Sequence, residues 1–275
     1  MTKMQHKNNL QFLATIKGLI IDADGVLWRG ETASPGLIDF FQFLRQHHIR
    51  FMLATNNSRK TPEQYKQKLA RFGVDIAHTE IMTSAIATAK YLKSTYPPNT
   101  KIFVIGQDGL YHAIQSVEFE IVKENAHVVV VGLDFELTYD KLKKATNLIY
   151  YGADFIGTNP DTSFPIEMGI APGNGAALAA ISAATGKQPI IIGKPKSPIF
   201  QLALQEMNLL PKQTAMIGDR LNTDILGGQN ACLKTILVLS GVTSRDDWLA
   251  SDVKPDIVFD SIAEFIDQWQ STLSA

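Results

Sequence analysis

The feature that most constrains the fold is a set of four short apolar runs, each of which ends in polar residues. They read GLIID at 18–22, RFMLATNN at 50–57, PIIIGK at 189–194 and TAMIGD at 214–219. A continuous apolar run of this length is typical of a strand buried on both faces of a parallel sheet. Parallel sheets place their ligand sites beyond the carboxyl ends of the strands. If all four runs lie in one sheet, we expect the polar residues that end them to gather at one edge.

The order of segments along the chain predicts an α/β fold with a doubly wound, Rossmann-like parallel sheet. Strand-like and helix-like segments alternate throughout. The carboxylate-bearing runs lie near the beginning and the end of the sequence, with a self-contained α/β block between them. We therefore predict a core domain made of residues 1–82 and 188–275, and an inserted α/β domain at residues 83–187. Residues 159–175, within the insertion, are rich in Pro and Gly and are predicted to form a loop without periodic structure.

The composition argues against nucleic acid and membranes as binding partners. The 275 residues are 45% hydrophobic and 19% charged, and the net charge of -1 gives no reason to expect nucleic acid or an anionic membrane. No apolar stretch reaches the roughly 20 residues of a membrane span, and the first twelve residues lack the apolar region of a signal peptide. The single cysteine, Cys232, excludes an internal disulfide and is predicted to be a small buried apolar residue. We expect a soluble cytoplasmic protein.

Asp22 and Asp24 follow the first apolar run and are separated by one alanine. Aspartate is common in turns, and a turn is the plain interpretation of each residue taken singly. The functional interpretation assigns two roles. An ionised carboxylate can attack phosphorus and form an aspartyl-phosphate. A second carboxyl can protonate the leaving oxygen and later deprotonate the incoming water.

Asp219 and Asp224 lie in the segment GDRLNTDI. Magnesium is bound by oxygen ligands, usually one or a few carboxylates together with water and substrate phosphate. Asp219, at a strand end, is the natural third carboxylate of such a site. Asp224 is either a further member of the metal shell or an acidic residue in the first turn of a helix, where it interacts with the helix dipole.

Two further strand ends offer groups that bind anions. Thr55, Asn56 and Asn57 form either an oxyanion cradle of hydroxyl and backbone N–H groups or an Asx-type turn before a helix that is capped by Ser58. Lys194 follows Gly193 at the end of the third run. Most lysines are solvated, but at the end of a buried strand a lysine becomes a point charge for a phosphoryl oxygen.

In combination, four segments resemble the phosphatase branch of the haloacid dehalogenase (HAD) superfamily. They are DADGVLWRG at 22–30, ATNNS at 54–58, GKPKS at 193–197 and GDRLNTDI at 218–225. Their order and spacing cover nearly the whole chain, and the long insertion resembles the C2-type cap of the NagD and 4-nitrophenylphosphatase group. The resemblance implies a Rossmann-like HAD core with an inserted α/β C2 cap.

The resemblance also implies a role for each matching residue. Asp22 is the nucleophile and a Mg²⁺ ligand, and Asp24 is the general acid/base that offers its backbone carbonyl to the metal. Thr55 and the amides of Asn56 and Asn57 bind phosphate, and Lys194 balances its charge. Asp219 completes the metal site with support from Asp224. Residues 26–30 form a short flap beside the nucleophile.

The inserted domain is expected to choose the substrate. Its candidate substrate-binding residues are Asn159, Asp161 and Thr162, and the alternative is a structural turn bracketed by prolines. The segment lacks the histidine that pyridoxal phosphate phosphatases of this type carry near Thr162, which argues against that substrate. Nucleoside monophosphates, sugar phosphates and phosphoglycolate stay open, with 4-nitrophenyl phosphate as an artificial substrate. A homodimer through the cap is implied by resemblance.

The expected activity is therefore Mg²⁺-dependent hydrolysis of a small phosphomonoester. A haloacid dehalogenase would share the nucleophile but would need neither Asp24 nor an acidic metal site. A non-catalytic regulatory protein that binds a phosphorylated ligand on the same scaffold is the second alternative. Such a protein would be expected to lack one of the catalytic groups, and none is missing.

Overall fold

The computed structural model describes residues 10–166 and 168–273, which fold into two compact units. The core unit comprises the described residues of Met1–Ala54, Lys66–Ile81 and Phe200–Ala275. The inserted unit comprises Thr55–Tyr65 and Met82–Ile199. The prediction about a signal peptide falls mainly on residues 1–9, outside the described part of the chain.

Alternating strands and helices make up both units, as the sequence predicts. The strands are β1 (Gly18–Ile21), β2 (Trp28–Arg29), β3 (Thr32–Ala33), β4 (Arg50–Thr55), β5 (Ile81–Thr83), β6 (Lys101–Ile105), β7 (Glu120–Ile121), β8 (Val128–Val131), β9 (Asp154–Gly157), β10 (Ser163–Ile166), β11 (Gly169–Pro172), β12 (Ile190–Ile191), β13 (Thr214–Gly218), β14 (Lys234–Val238) and β15 (Ile257–Phe259). The α-helices are α1 (Leu37–Gln46), α2 (Pro62–Arg71), α3 (Ser84–Thr95), α4 (Asp108–Gln115), α5 (Tyr139–Tyr150), α6 (Asn174–Thr185), α7 (Ser197–Met207), α8 (Leu226–Asn230), α9 (Arg245–Ala250) and α10 (Ile262–Leu273).

The six-stranded sheet of the core has the order β15-β14-β13-β1-β4-β5, and its strands from β15 to β4 pair in parallel. Strand β1 lies near the centre, and all four of its residues are buried. This explains its unbroken apolar sequence, because both faces of the strand are covered. The predicted parallel α/β architecture is confirmed.

Helices α1 and α10 pack together through their aromatic faces in the core unit. The ring centroids of Phe43 and Trp269 are 5.2 Å apart, and those of Phe40 and Phe265 are 6.3 Å apart. Gly36 precedes α1 at φ 78°, and a Cβ at this position would lie 2.9 Å from Ala263 Cβ. A glycine is therefore required by both the backbone conformation and the close approach to α10.

The inserted unit contains a second parallel sheet with the order β12-β9-β8-β6-β7. Its core joins the apolar residues of β6, β8 and β9 to α5 and α6 through Ala145, Ile149, Leu178 and Ile181. Helix α5 begins after Thr138, whose hydroxyl caps it by accepting a hydrogen bond from the Lys141 N–H at 3.2 Å.

One expectation about the sheets is wrong. Three of the four apolar runs form β1, β4 and β13 of the six-stranded sheet, but the third run contributes β12 to the edge of the five-stranded sheet. Only Ile190 and Ile191 pair there, with Ile156 and Gly157 of β9. Ile190 is 46% exposed, so the run is apolar without being a strand buried on both faces. The four polar strand ends therefore do not share one sheet.

The predicted loop at 159–175 contains a hairpin that the sequence pattern does not reveal. Strands β10 and β11 pair antiparallel, with Ser163 opposite Pro172 and Ile166 opposite Gly169. Ile166 and Ile170 are exposed, so no alternation between buried and exposed apolar residues marks the strands.

Cys232 is exposed, contrary to the prediction that it is buried. It has φ 58° and follows the short helix α8, so it occupies a left-handed turn at the surface. Within the described residues, no helix is both long enough and apolar enough to cross a membrane.

The compact units and the predicted domains divide the chain differently at three places. Residues 55–65, 82 and 188–199 belong to the inserted unit, whereas the predicted boundaries at 82/83 and 187/188 place them in the core. The predicted domain boundaries stay a prediction. The structural consequence is that Thr55, Asn56, Asn57 and Lys194 lie in the inserted unit, and the predicted catalytic and metal-binding carboxylates lie in the core unit.

Candidate active site

Three carboxylates gather at the carboxyl edge of the core sheet. Asp22 directly follows β1, Asp219 follows β13, and Asp224 lies in the π-helical turn Leu221–Ile225. Each offers an oxygen within 4.8 Å of those of the other two. The adjacent parallel strands bring Asp22 and Asp219 to the same edge, and the Asp22 N–H donates to the Ile217 carbonyl at 2.9 Å.

Asp219 is held in a space that two glycines leave open. A Cβ at Gly25 would lie 2.2 Å from Asp219 Oδ2, and one at Gly241 would lie 1.9 Å from the same atom. The Val242 N–H donates to Asp219 Oδ2 at 2.6 Å, and Asp219 is 0% exposed. The carboxylate is therefore fixed by packing as well as by hydrogen bonding.

The surroundings of Asp224 are compatible with both interpretations that the sequence leaves open. Its Oδ2 accepts from the Arg220 N–H at 3.0 Å, so it binds backbone at the start of the helical segment. It is also buried and belongs to the acidic cluster. A Cβ at Gly218 would lie 2.2 Å from Asp224 Cβ, which explains the glycine at the end of β13.

The Asp24 side chain has different surroundings from the acidic cluster. Asp24 is exposed, and its Oδ1 accepts a hydrogen bond from the Trp28 indole N–H at 2.7 Å. Trp28 is 1% exposed and begins the short hairpin of β2 and β3, which overlaps the predicted flap at residues 28–30. The indole therefore gives Asp24 a fixed neighbour in an otherwise open position.

Lys68 of α2 anchors this flap. Its ammonium donates to the Gly30 carbonyl at 2.6 Å and lies 4.8 Å from the centre of the Trp28 ring. A cation over an aromatic face is attracted by the ring quadrupole, more strongly when both groups are shielded from water. Lys68 is only 5% exposed, so the contact stabilises the position of Trp28.

The acidic cluster fits a hard divalent cation. Its donors are three buried carboxylates, the ligand type that Mg²⁺ prefers. Carboxylates this close together disfavour one another's ionised form unless a positive charge offsets their repulsion. The chemistry of the donor set therefore agrees with the predicted metal site for Asp22, Asp219 and Asp224.

The predicted phosphate-binding residues of the inserted unit form a second, hydrogen-bonded group. Asn56 Oδ1 accepts from the Lys194 N–H at 2.8 Å, and Asn56 Nδ2 donates to the Lys194 carbonyl at 3.0 Å. Asn56 Nδ2 also lies 3.2 Å from each Asp161 carboxylate oxygen. Lys194 is 1% exposed, so it is not the solvated lysine of the plain interpretation.

The remaining candidates of this unit differ in their surroundings. Thr55 Oγ1 accepts from the Asn57 N–H at 3.2 Å, and Asn57 Oδ1 accepts from the Arg59 N–H at 2.9 Å, so the Asx-type turn of the second interpretation is present. The expected helix cap at Ser58 is wrong, because helix α2 begins at Pro62 and Thr61 Oγ1 accepts from the Gln64 N–H at 3.4 Å. Asn159 Oδ1 accepts from the Asp161 N–H at 3.1 Å in a second such turn. Thr162 is exposed.

In each unit, residues that shape the surroundings of the candidates are not themselves among the sequence candidates. They make contacts with residues distant in the chain or allow close packing, and they are Trp28 and Gly241 in the core unit and Gly193 and Asn174 in the inserted unit. Asn174, for example, is buried and donates to the carbonyls of Val131 at 3.1 Å and Asn159 at 2.9 Å. The sequence identifies these glycines and asparagines, but it does not show which residues they contact.

Models of two hydrolase families match the chain. A haloacid dehalogenase-like hydrolase model matches residues 19–120, and a HAD-hydrolase-like model matches residues 191–265. The chain is 40% identical to the acid sugar phosphatase of Staphylococcus epidermidis (strain ATCC 12228 / FDA PCI 1200) over 242 residues, which are 87% of this chain and 93% of that protein. It is 35% identical to the 5'-nucleotidase YutF of Bacillus subtilis (strain 168) over 254 residues, 92% and 99% of the two chains.

Solved structures agree with these matches. The 4-nitrophenylphosphatase of Thermotoga maritima superposes with a TM-score of 0.89 at 35% identity and covers 93% of this chain and 98% of its own. NagD of E. coli K-12 gives 0.84 at 36% identity, with 90% and 98% covered. The glycerol phosphate phosphatase of Mycobacterium tuberculosis, solved in complex with magnesium, gives 0.84 at 28% identity, with 92% and 77% covered.

With the acidic strand ends in place and relatives of this similarity over most of its length, the chain belongs to the haloacid dehalogenase-like hydrolases. It is a phosphatase of the NagD-like group within that family, as the four sequence segments predict.

Proposed function

We propose that this phosphatase hydrolyses small phosphomonoesters with Mg²⁺ and through an aspartyl-phosphate on Asp22. The observation that carries the proposal is the buried cluster of Asp22, Asp219 and Asp224 at the ends of β1 and β13. It provides an ionised nucleophile together with a binding site for the cation that lets several carboxylates stay ionised together.

In the proposed reaction, a carboxylate oxygen of Asp22 attacks phosphorus while the bond from phosphorus to the leaving oxygen breaks. Asp24 donates its proton to that oxygen. Asp24 then takes a proton from a water molecule that attacks the same phosphorus, and the bond to Asp22 breaks to release orthophosphate. Asp24 is suited to the proton transfers because it is exposed and yet oriented by the Trp28 indole.

The carboxylates of Asp22, Asp219 and Asp224, together with the backbone carbonyl of Asp24, would hold Mg²⁺. When bound, the cation supplies positive charge that offsets the carboxylates and the phosphoryl oxygens. The magnesium in the M. tuberculosis relative supports this choice of metal.

The phosphoryl oxygens are proposed to bind to Thr55, to the backbone amides of Asn56 and Asn57, and to Lys194. The ammonium group of Lys194 provides the opposite charge that the transferring phosphoryl group requires. Lys194 is 1% exposed, so its ammonium group is not a solvated surface charge, which is compatible with this role.

The proposed substrates are sugar phosphates or nucleoside monophosphates, in line with the names of the S. epidermidis and B. subtilis relatives. Phosphoglycolate remains a further candidate. The leaving group would be selected by the inserted unit, with Asn159, Asp161 and Thr162 as the candidate residues. Of these, Thr162 is the exposed one. The cytoplasmic location and the homodimer through the inserted unit stay predictions.

Removing the metal tests this proposal directly. Phosphate release from 4-nitrophenyl phosphate, glucose 6-phosphate, phosphoglycolate and a nucleoside monophosphate is measured with Mg²⁺, after chelation with EDTA, and after Mg²⁺ is restored. We expect chelation to lower turnover by at least about a hundredfold, because the clustered carboxylates lose the charge that offsets them, and Mg²⁺ to restore it. Full activity of chelated and dialysed enzyme would contradict the metal requirement. No release from any ester would favour the non-catalytic alternative.

The Trp28→Phe variant tests the proposed role of Asp24. The substitution keeps an aromatic ring beneath Lys68 but removes the indole N–H that donates to Asp24 Oδ1. We expect kcat for 4-nitrophenyl phosphate to fall between about threefold and thirtyfold, with a smaller change in KM, since one hydrogen bond to the proposed general acid/base is lost.

Trp269→Phe is the matched control for this variant. Trp269 is also a fully buried tryptophan of the core unit, but among the described residues its indole N–H has no hydrogen-bond partner. Equal losses of kcat in the two variants would argue that Trp28 acts through packing alone and not through Asp24.

A further inference from the structure

We infer that Asn56 is a positioning residue, which acts by holding the main chain of Lys194 rather than by binding substrate through its side chain. The inference rests on the proposed role of Lys194 in charge stabilisation. It refines the prediction that Asn56 binds substrate. Its basis is the pair of hydrogen bonds between the side-chain amide of Asn56 and the main chain of Lys194.

The side chain of Asn56 pairs with Lys194 in the way that one strand pairs with another. Its Oδ1 accepts the Lys194 N–H at 2.8 Å and its Nδ2 donates to the Lys194 carbonyl at 3.0 Å. Residues of adjacent antiparallel strands exchange the same two hydrogen bonds. The pairing is shielded from water, since Asn56 is 8% and Lys194 1% exposed. Both polar atoms of the amide are therefore already engaged.

Asp161 determines which way the amide of Asn56 faces. Its two carboxylate oxygens each lie 3.2 Å from Asn56 Nδ2. A carboxylate accepts but does not donate, so the amino group, and not the carbonyl oxygen, must face Asp161. In this orientation Oδ1 meets the Lys194 N–H, and the two hydrogen bonds to Lys194 form together.

The backbone of Asn56 is held as firmly as its side chain. Its carbonyl accepts from Asn159 Nδ2 at 2.9 Å and from Ser84 Oγ at 2.6 Å. On the other side of the pairing, a Cβ at Gly193 would lie 2.6 Å from Asn56 Oδ1 and 2.6 Å from the Thr158 carbonyl. Glycine therefore permits the approach of the Lys194 segment to Asn56.

This arrangement matters because lysine is a point charge on a flexible stem. A charge that stabilises a transferring phosphoryl group is effective only when it is placed in advance, and a displacement of about 1 Å can cost about a hundredfold in rate. Fixing both main-chain groups of Lys194 restricts where its ammonium group can lie. Loss of the Asn56 side chain should therefore reduce the contribution of Lys194 to kcat.

A double-mutant cycle tests the inference, with kcat for 4-nitrophenyl phosphate measured on wild type, Asn56→Ala, Lys194→Ala and the double variant. We expect Asn56→Ala to lower kcat by about tenfold to a hundredfold and Lys194→Ala by at least as much. In the Lys194→Ala background, Asn56→Ala should cost no more than about threefold, because groups that act as a unit are non-additive.

Asn174→Ala supplies the structural control. Asn174 is a buried asparagine of the same unit, and its amide donates to the carbonyls of Val131 and Asn159 and not to Lys194. The loss of kcat in the double variant of Asn174→Ala and Lys194→Ala should equal the product of the two single losses. Thermal unfolding midpoints are measured for every variant. If Asn56→Ala does not fold, Asn56→Ser replaces it, because the hydroxyl can satisfy one main-chain group of Lys194 but not both.

The outcomes separate this inference from the function on which it rests. A double variant whose loss is the product of the two single losses would overturn the role of Asn56 while leaving Lys194 in place. The role of Asn56 would also be overturned if Asn174→Ala and Lys194→Ala departed from multiplicative losses as much as Asn56→Ala and Lys194→Ala do. Wild-type kcat in Lys194→Ala would instead overturn the proposed role of Lys194, and the inference with it.

Discussion

The Asp22→Asn variant is expected to lose about 10⁴-fold or more in kcat for 4-nitrophenyl phosphate with saturating Mg²⁺. An amide oxygen is a far weaker nucleophile than a carboxylate, and losing a nucleophile typically costs an enzyme this much. The backbone of residue 22 should be unaffected, since its N–H bonds to the Ile217 carbonyl at the end of β13. Steady-state kinetics, with orthophosphate measured directly, provide the result.

Folding can be separated from chemistry in this variant. Asp22 is one of three buried carboxylates whose oxygens lie within 4.8 Å, so an amide removes like-charge repulsion. Without Mg²⁺, the thermal midpoint of Asp22→Asn should therefore equal or exceed that of wild type. Asp39→Asn, at an exposed position in the first turn of α1, is the matched control and should keep wild-type kcat. Turnover of Asp22→Asn within tenfold of wild type would contradict the nucleophilic role.

The central part of the fold follows from local sequence. Strands β1, β4 and β13 were predictable because strands buried on both faces need an unbroken apolar run, and such runs are rare in exposed segments. The residues that end these strands follow from the same reasoning, because a parallel sheet brings its carboxyl ends to one edge. The grouping of Asp22 with Asp219 is therefore recoverable from the sequence.

The third apolar run shows where this reasoning stops. Periodicity identifies an extended apolar segment but does not say which strand it pairs with, and β12 pairs with β9 instead of the core strands. The β10–β11 hairpin was missed for a related reason, since its exposed Ile166 and Ile170 give no alternating pattern. Cys232 was misplaced because residue type predicts burial only on average, and here the backbone turns at φ 58°.

Within the site, residue types were predictable and partners were not. The position of Asn56 after a strand end makes it a candidate, yet its contacts with Lys194 and Asp161 join positions more than 100 residues apart in the chain. Trp28 lies in the predicted flap, and its hydrogen bond to Asp24 depends on the turn between them. Such contacts are set by the packed tertiary structure, which a single sequence does not display.

Gly241→Ala is expected to weaken Mg²⁺ binding at least about tenfold, the usual cost of disturbing residues that orient metal ligands. The new Cβ would lie 1.9 Å from Asp219 Oδ2 and 2.3 Å from Asp219 Cβ and Cγ. Because Asp219 is fully buried, its carboxylate cannot move away without disturbing its neighbours or its hydrogen bond from Val242. Turnover at limiting Mg²⁺ should fall by the same factor, because the occupied fraction there is proportional to affinity, and titration with Mg²⁺ measures the change in affinity.

Higher Mg²⁺ should restore part of the activity of Gly241→Ala, since the substitution displaces a ligand without deleting it. Val242→Ala is the neighbouring control: its side chain is 58% exposed, and the variant keeps the N–H that donates to Asp219. It should match wild type in both Mg²⁺ affinity and turnover. If Gly241→Ala binds Mg²⁺ as tightly as Val242→Ala does, then Asp219 either tolerates displacement or is not a ligand. Asp219→Asn distinguishes the two cases, because it weakens binding only if the carboxylate holds the metal.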